Sequence, residues 1–338
     1  MSFNTQLTRL LGIRTPVILP PMAFAAGALL ASQVHMAGGF GFLSPTYSGT
    51  DAFEREFALA RMLLGQPTGA LPLGAGFLGW KLDADPAHAA LLDVALAHGV
   101  RCVWLSFGAD LTRWVERVRA HDSTTLVAIQ VNSAAEALHA ARTWKADIIV
   151  AQGIEAGGHG AASAPPLLNL LPQVLRALTV LPAPPPVLAA GGLTSGAHLA
   201  AVLALGASGG VFGTRFLATP AALYTPAQKA ALLAAPAGAA VRSRAFDALR
   251  GTLGWPAGVD GRALAMPAAE AYDGGAPLED ARRVLEDGVR TGDPRAQIVW
   301  AGTGVGEVTE LQPAKDIVRE LHDDAAAHLR ASYALLQE

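Results

Sequence analysis

The chain has 338 residues, of which 51% are hydrophobic and 16% are charged, a balance that suits one large α/β core or such a core with a smaller cap. Its formal net charge of −3 supplies neither a basic field for nucleic acid nor a polybasic face for a membrane surface. Composition and charge therefore argue against a nucleic-acid partner and against attachment to a membrane surface.

A single cysteine, Cys102, excludes an internal disulfide framework and a cysteine-based zinc cluster, and we expect it to be buried in a strand. The N-terminal residues lack a signal-peptide pattern. Prolines interrupt the longest nearly uncharged stretch, residues 177–214, so it does not suit a spanning helix. We therefore expect a cytoplasmic protein with no membrane span.

Short apolar runs alternate with Ala/Leu-rich stretches as far as residue 216. The runs lack polar alternation, which is typical of strands buried on both faces. We predict eight strands, at residues 17–22, 40–43, 71–76, 102–106, 126–130, 148–151, 187–190 and 210–213. The helices predicted between them include residues 25–36, part of 47–64, 87–98, 111–121, 134–144 and 196–205. Eight such units predict an α/β fold, a (β/α)8 TIM barrel.

The pattern changes after residue 216. Prolines break residues 219–226, a helix is predicted at 228–233, a short strand at 241–246, and Gly, Trp and Pro crowd 251–261. These features do not continue a barrel. We therefore predict three parts: a barrel over residues 1–219, a smaller, mostly helical substrate or cap domain near the barrel mouth over 220–309, and a C-terminal helix over 310–338 that returns to the barrel.

Glycine turns close the seventh and eighth predicted strands, at Gly191-Gly192 and at Gly213-Thr214. Ligands of a TIM barrel bind at the carboxyl ends of its strands, and the turns after these two strands are the usual phosphate position. Glycine lets backbone N–H groups approach an anion closely, and the Thr214 hydroxyl is a further donor. The two turns together predict a phosphate site, although either turn alone is equally well explained as a tight connection.

A glycine-rich loop with one histidine follows the sixth predicted strand. Its glycines, among them Gly157 and Gly158, would let a flat ligand lie against the backbone. His159 has a side chain suited to proton transfer near neutral pH. A surface histidine on a mobile loop is the alternative interpretation, but the position at the end of the sixth strand favours a catalytic base.

Several segments resemble one family of flavoenzymes. They are P-P-M-A at 20–23, AGGFGFLSP at 37–45, VAQGIEAGGHG at 150–160, VLAAGGLTSGAHLAAVLALGASGGVFGTRFLAT at 187–219 and RSRAFDALRGTLGWPAGVDGRAL at 242–264. Together they cover much of the chain. The combination resembles the nitronate monooxygenases, formerly called 2-nitropropane dioxygenases, and the last segment resembles their fungal-type branch.

The resemblance implies one FMN, no metal, and His159 as the base that removes the α-proton of a neutral nitroalkane. It implies oxidation of alkyl nitronates by O2 to carbonyl compounds and nitrite, with propionate 3-nitronate as a reasonable substrate. No nucleic acid or membrane partner is expected, and a homodimer is compatible with the resemblance. By position, the cofactor would contact Pro21, Met22, Ala23, Gly157, Gly158, Gly191, Gly192, Gly213 and Thr214. Gln130 would meet the pyrimidine edge of the flavin, where some relatives carry lysine.

Two other functions stay open at this point. One is an FMN-dependent NAD(P)H:quinone or enoyl-thioester reductase, since similar barrels carry both activities. The other is a flavin-binding protein without catalysis, against which the presence of His159 argues. A third pattern, G-x-G-x-x-G at residues 74–79, does not indicate a Rossmann site, because the acidic residue that should end the next strand, Asp93, lies inside a predicted helix.

Overall fold

The computed structural model describes residues 2–45 and 49–336, and a closed barrel of parallel strands forms its centre. The strands, in chain order, are β1 (Val17–Leu19), β2 (Phe40–Leu43), β3 (Leu71–Leu78), β4 (Val100–Ser106), β5 (Leu126–Val131), β6 (Ile148–Gln152), β7 (Gly158–Ala161), β8 (Val187–Ala190), β9 (Gly209–Val211), β10 (Ala240–Ser243) and β11 (Val259–Leu264). The barrel runs β1-β2-β3-β4-β5-β6-β8-β9, and β9 pairs with β1 to close it. The predicted TIM barrel is confirmed.

Helices alternate with the barrel strands, and further helices follow in the region after the barrel. They are α1 (Gln6–Leu11), α2 (Ala28–Met36), α3 (Thr50–Leu64), α4 (Gly79–Ala84), α5 (Pro86–Ala97), α6 (Thr112–His121), α7 (Ala134–Arg142), α8 (Leu167–Leu178), α9 (Gly196–Ala204), α10 (Thr214–Leu217), α11 (Pro226–Leu233), α12 (Ala245–Arg250), α13 (Pro267–Asp273), α14 (Leu278–Thr291) and α15 (Ala314–Tyr333), with a 3-10 turn at Thr303–Glu307. Part of the loop predicted within 47–64 lies outside the described residues. Across residues 2–45 and 49–336, no helix combines the length and the apolarity that a membrane crossing requires.

Alternate residues of a barrel strand pack on opposite sides of it. In β1, Val17 and Leu19 join the core between the barrel and its helices, whereas Ile18 packs inside the barrel with Trp104. Both faces are therefore apolar, which is why the sequence shows no polar alternation in these runs. Cys102 also lies inside the barrel, where burial raises the pKa of its thiol, so the expectation of a packing role agrees with its surroundings.

The region after the barrel contributes α11 to α14 and two strands. Strands β10 and β11 are antiparallel, and β11 also pairs with β7, which comes from the loop after β6. The strand predicted at 241–246 is wrong in its second half, because β10 ends at Ser243 and α12 begins at Ala245. There the Ser243 Oγ accepts a hydrogen bond from the Ala245 N–H at 2.8 Å and starts the helix. This three-stranded sheet ties the loop after β6 to the later region.

The C-terminal helix α15 packs against α9 and α2 on the outside of the barrel. Ile317 and Leu321 are fully buried there, in the same core as the outward side chains of the barrel strands. An Asp324 carboxylate oxygen accepts a hydrogen bond from the Ala197 N–H at 3.0 Å and so caps the start of α9. The last helix thus completes the helical layer on this side of the barrel.

Candidate active site

One cavity opens at the carboxyl ends of the barrel strands. Every site residue predicted from the sequence lines it: Pro21, Met22, Ala23, Gln130, Gly157, Gly158, His159, Gly191, Gly192, Gly213 and Thr214. The cavity is also lined by side chains from the region after the barrel, among them Arg250, Trp255 and Trp300. The barrel therefore forms the floor of the cavity, and the later region supplies part of its walls.

The two glycine turns differ in why they need glycine. Gly191 and Gly192 have φ values of 119° and 72°, a left-handed backbone that other residues rarely adopt. Gly213 has an ordinary φ of −88°, and a Cβ there would make only ordinary van der Waals contacts, with Met22 Sδ at 3.6 Å and Pro20 Cγ at 3.8 Å. The first turn needs glycine for its shape, whereas the second leaves room beside the backbone.

The backbone of these turns offers free hydrogen-bond donors. Among the described residues, the N–H groups of Gly192, Gly213 and Thr214 have no acceptor. The Thr214 Oγ1 accepts a hydrogen bond from the Gly302 N–H at 2.9 Å, which leaves its own O–H able to donate. Unpaired N–H groups that converge beside open space suit a phosphate or another small anion.

The two glycines after β6 also differ in their surroundings. A Cβ on Gly157 would lie 2.5 Å from the backbone carbonyl carbon of Ala301 and from the backbone nitrogen of Gly302, so the close approach of that segment accounts for this glycine. Gly158 has a φ of 70°, and a Cβ there would meet no atom within 4 Å. Of the pair, Gly158 is the one whose open side leaves space for a ligand.

A chain of side-chain amides lies along one wall of the cavity. The Gln130 Nε2 donates to Gln152 Oε1 at 3.0 Å, and the Asn132 Nδ2 donates to the backbone oxygen of Gln152 at 2.7 Å. The Gln152 Nε2 in turn donates to the backbone oxygen of His159 at 3.3 Å. These bonds fix the orientation of the Gln130 amide and leave its Oε1 as an acceptor. The sequence predicted a role for Gln130 but gave none to Gln152 or Asn132.

His159 lies in β7 and contacts residues that the sequence did not connect with it. Its Nε2 is 2.9 Å and 3.0 Å from the two carboxylate oxygens of Asp247 in α12. Its ring stacks on that of Trp255, with centroids 3.6 Å apart and planes inclined by 10°, and Trp300 lies 4.9 Å away. Asp247 and Trp255 stand in the segment 242–264 that carried part of the family resemblance, but no motif spacing links them to a loop some ninety residues earlier in the chain.

Some buried side-chain nitrogen atoms of residues that line the cavity have no hydrogen-bond partner among the described residues. They include the indole nitrogens of Trp104 and Trp255 and the Nε2 of His88. Burial, together with the nearby Lys81 ammonium, lowers the pKa of His88 to about 4, so this ring is neutral near pH 7. Unsatisfied buried donors are costly, and oxygen atoms of a bound ligand would satisfy those that face it.

The charges at the cavity have one sign. Its lining includes Lys81 and Arg250 but no carboxylate among the described residues. The Arg250 guanidinium lies over the rings of Phe24 and Trp300, at 5.6 Å and 5.8 Å from their centroids. Burial lowers the pKa of Lys81. This arrangement attracts an anion. Among the described residues, no group of three or more His, Cys, Asp or Glu side chains is placed to hold a metal ion.

A sequence model of the nitronate monooxygenase family matches residues 4–324. The chain belongs to this family. It is 35% identical to the nitronate monooxygenase npaC of Metarhizium robertsii, a match that covers 95% of this chain and 93% of that protein. It is 31% identical to the nitronate monooxygenase of Neurospora crassa, with 94% of this chain and 91% of that protein covered. The resemblance inferred from the sequence motifs is confirmed, and the protein is an oxidoreductase.

A solved structure adds a comparison of the fold. The nitroalkane oxidase of Streptomyces ansochromogenes superposes with a TM-score of 0.78 at 28% identity, over 96% of this chain and 99% of that one. The match extends over both the barrel and the region after it. This chain and that nitroalkane oxidase therefore share the architecture that encloses the cavity.

Proposed function

We propose that the protein is an FMN-dependent nitronate monooxygenase that oxidises alkyl nitronates with O2 to carbonyl compounds and nitrite. Membership of the nitronate monooxygenase family supports the class of reaction. The chemistry of the cavity supports the cofactor, the substrate and the roles of single residues.

The residues present fit FMN. The uncrowded side of Gly213 and the free N–H groups of Gly192 and Thr214 suit its terminal phosphate. The fixed Oε1 of Gln130 is an acceptor for the one N–H group of the flavin pyrimidine ring, and Gly158 leaves space beside the ring system. When bound, FMN supplies the electron acceptor that a nitronate needs and that O2 reoxidises. Pro21, Met22 and Ala23 would contact its isoalloxazine.

The substrate side of the cavity suits an anion. A nitronate carries a full negative charge spread over its two oxygens, whereas a quinone or an enoyl group is neutral. Arg250 lies at the cavity, whose described lining holds no carboxylate, so its guanidinium attracts the nitronate and orients its oxygens, and the Lys81 ammonium adds a second positive charge. A nitronate that also bears a carboxylate, such as propionate 3-nitronate, would interact with both cations.

His159 acts where the substrate arrives as a neutral nitroalkane. The imidazole accepts the α-proton, and the electron pair of the broken C–H bond moves onto the nitro group to give the nitronate. A preformed nitronate has no such proton to lose. With that substrate, His159 serves only to orient the nitronate and to exclude water from the cavity. The stacked rings of Trp255 and His159 close this side of the cavity.

One observation carries the proposal. His159, the two glycine turns and Arg250 line the same cavity, and its described lining holds no acidic residue. The test is the purified protein, with its absorption spectrum recorded first and its oxygen uptake measured with ethyl nitronate in the absence of NAD(P)H. We expect a yellow protein with FMN, and nitronate-dependent oxygen uptake with nitrite as product. A colourless protein that cannot be reconstituted with FMN would contradict the proposal.

Further measurements on the same preparation distinguish the proposed monooxygenase from a reductase and from a flavin-binding protein without catalysis. Rapid bleaching of the flavin on anaerobic mixing with NADH or NADPH, without nitronate oxidation, would make the protein a reductase of quinones or enoyl thioesters. No turnover with nitronates, quinones or enoyl thioesters would make it a flavin-binding protein without catalysis.

A further inference from the structure

The hydrogen-bonded pair of His159 and Asp247 is buried at the edge of the cavity. The side chains of the two residues are 12% and 8% exposed, and both carboxylate oxygens of Asp247 lie within 3.0 Å of the same imidazole nitrogen, Nε2. A second donor, the Thr252 hydroxyl, binds Asp247 Oδ1 at 2.8 Å. Asp247 does not line the cavity, so any effect that it has on a substrate acts through His159.

We propose that Asp247 is a positioning residue that keeps the proton of neutral His159 on Nε2, so that Nδ1 is the atom that accepts the substrate proton. This inference rests on the proposed function. An ionised carboxylate only accepts hydrogen bonds, so the imidazole nitrogen that faces it must carry the hydrogen. In a neutral imidazole the other nitrogen then holds the lone pair. Among the described residues, the His159 Nδ1 has no hydrogen-bond partner.

Aromatic side chains hold the imidazole in this orientation. Trp255 lies parallel to the ring at a centroid distance of 3.6 Å, and Trp300 lies against it at 4.9 Å. A 180° flip of the ring would put Cε1 in the place of Nε2, which would break the bonds to Asp247 and leave a buried carboxylate with one donor fewer. The stacking therefore fixes the plane of the imidazole, and the hydrogen bonds fix Nε2 as the atom that faces Asp247.

The backbone explains how these groups meet. His159 in β7 is the register partner of Gly261 in β11, so the strand pairing brings the histidine to the later region. A Cβ on Gly261 would lie 2.5 Å from the Trp300 ring and 3.6 Å from His159 Nε2. Only glycine at this position lets Trp300 approach the histidine. The later region thus positions the base as well as enclosing the cavity.

The test compares Asp247→Asn with two other variants at matched FMN content. An Asn side chain can donate to Nε2 and so stabilise the tautomer with the proton on Nδ1, which cannot accept the α-proton. We expect Asp247→Asn to lose activity on nitroethane by about 10²- to 10⁴-fold, the range of general-base catalysis, while turnover of preformed ethyl nitronate falls far less. Asp247→Glu, which keeps a carboxylate, should recover part of the nitroethane activity.

The matched control is Asp260→Asn. Asp260 in β11 forms a partly buried ion pair with Arg242 in β10 and does not line the cavity. Its loss should destabilise the sheet without changing the ratio of nitroethane to nitronate activity. If Asp260→Asn changes that ratio as much as Asp247→Asn does, or if Asp247→Asn lowers both activities equally, the role of Asp247 is structural and the inference is wrong.

A direct measurement separates this inference from the proposed function. The ¹⁵N chemical shifts of the His159 ring, assigned by their disappearance in His159→Asn, report which nitrogen carries the proton in the resting enzyme. We expect a protonated Nε2 in the parent and a shift toward the other tautomer in Asp247→Asn. A proton on Nδ1 in the parent would overturn the inference even if the enzyme oxidises nitronates. A parent that oxidises no nitronate would instead overturn the proposed function, whatever the tautomer.

Discussion

The backbone N–H of Gly302 donates a hydrogen bond to the Thr214 hydroxyl oxygen at 2.9 Å and so joins the last part of the later region to the turn after β9. The same segment approaches the turn after β8, where a Cβ on Gly304 would lie 2.6 Å from the backbone oxygen of Gly192. The segment around Gly302 and Gly304 therefore contacts both of the turns that form the candidate phosphate site. Retention of the cofactor should depend on the later region as well as on the barrel.

A charge at the turn after β9 tests the phosphate site. Gly213→Asp places a carboxylate where the phosphate of FMN would lie, and like charges repel strongly at such a distance. Gly213→Ala is the matched control, since the added Cβ has room and the backbone there suits any residue. We expect the Asp variant to purify without FMN but folded, and the Ala variant to keep more of it. The amount of flavin released per protein chain measures how much FMN each variant retains. Equal FMN content in the parent and the Asp variant would contradict the assignment of the phosphate site to this turn.

The guanidinium of Arg250 tests how the substrate is recognised. Arg250→Gln removes a charge from the cavity, and a charge-assisted hydrogen bond to a ligand is worth enough to change binding by about tenfold or more. We therefore expect the KM for propionate 3-nitronate to rise by about that factor, and that for ethyl nitronate to rise less. Arg244→Gln is the control, because Arg244 is exposed, directly precedes the same helix and does not line the cavity. An unchanged KM for both substrates in Arg250→Gln would exclude Arg250 from substrate binding.

Burial of His88 predicts a loss of stability in acid. Its pKa is about 4 in the folded protein and 6.5 without burial, so the unfolded chain takes up a proton there at a higher pH than the folded one. The contribution to stability is complete above pH 6.5 and is lost as the pH falls toward 4. We expect His88→Leu to lose less stability than the parent over this range, as measured by urea unfolding. His121→Leu, at an exposed site, should follow the parent, and identical acid sensitivity in His88→Leu and the parent would contradict the assignment.

The barrel was predictable from the sequence because its strands are apolar on both faces and its turns are rich in glycine. Ile18, for example, lies inside the barrel while its neighbours pack against helices, and short continuous apolar runs are typical of strands covered on both sides. The positions of Gly191, Gly192 and Gly213 at strand ends then followed from the known polarity of the fold. Their convergence on one cavity is a property of the barrel and needs no knowledge of the later region.

The contact of Asp247 with His159 could not be predicted from the sequence in the same way. Its contact with His159 depends on the pairing of β7 with β11, two short strands almost a hundred residues apart, one of them formed by a loop whose glycines suggest flexibility. Gly157 illustrates the same limit of prediction from sequence. A side chain at this position is excluded by the backbone of Ala301 and Gly302, and not by any part of the barrel. Local patterns carry no information about which distant segment will cover a loop.

The most direct test of the proposed chemistry is the activity of His159→Asn on two substrates at matched FMN content. Asn cannot accept the α-proton of nitroethane, whereas preformed ethyl nitronate has already lost that proton. We expect oxygen uptake with nitroethane to fall by about 10²- to 10⁴-fold and oxygen uptake with ethyl nitronate to fall far less. Equal losses on both substrates would mean that His159 only contacts the nitro oxygens, and the assignment of His159 as the catalytic base would be wrong.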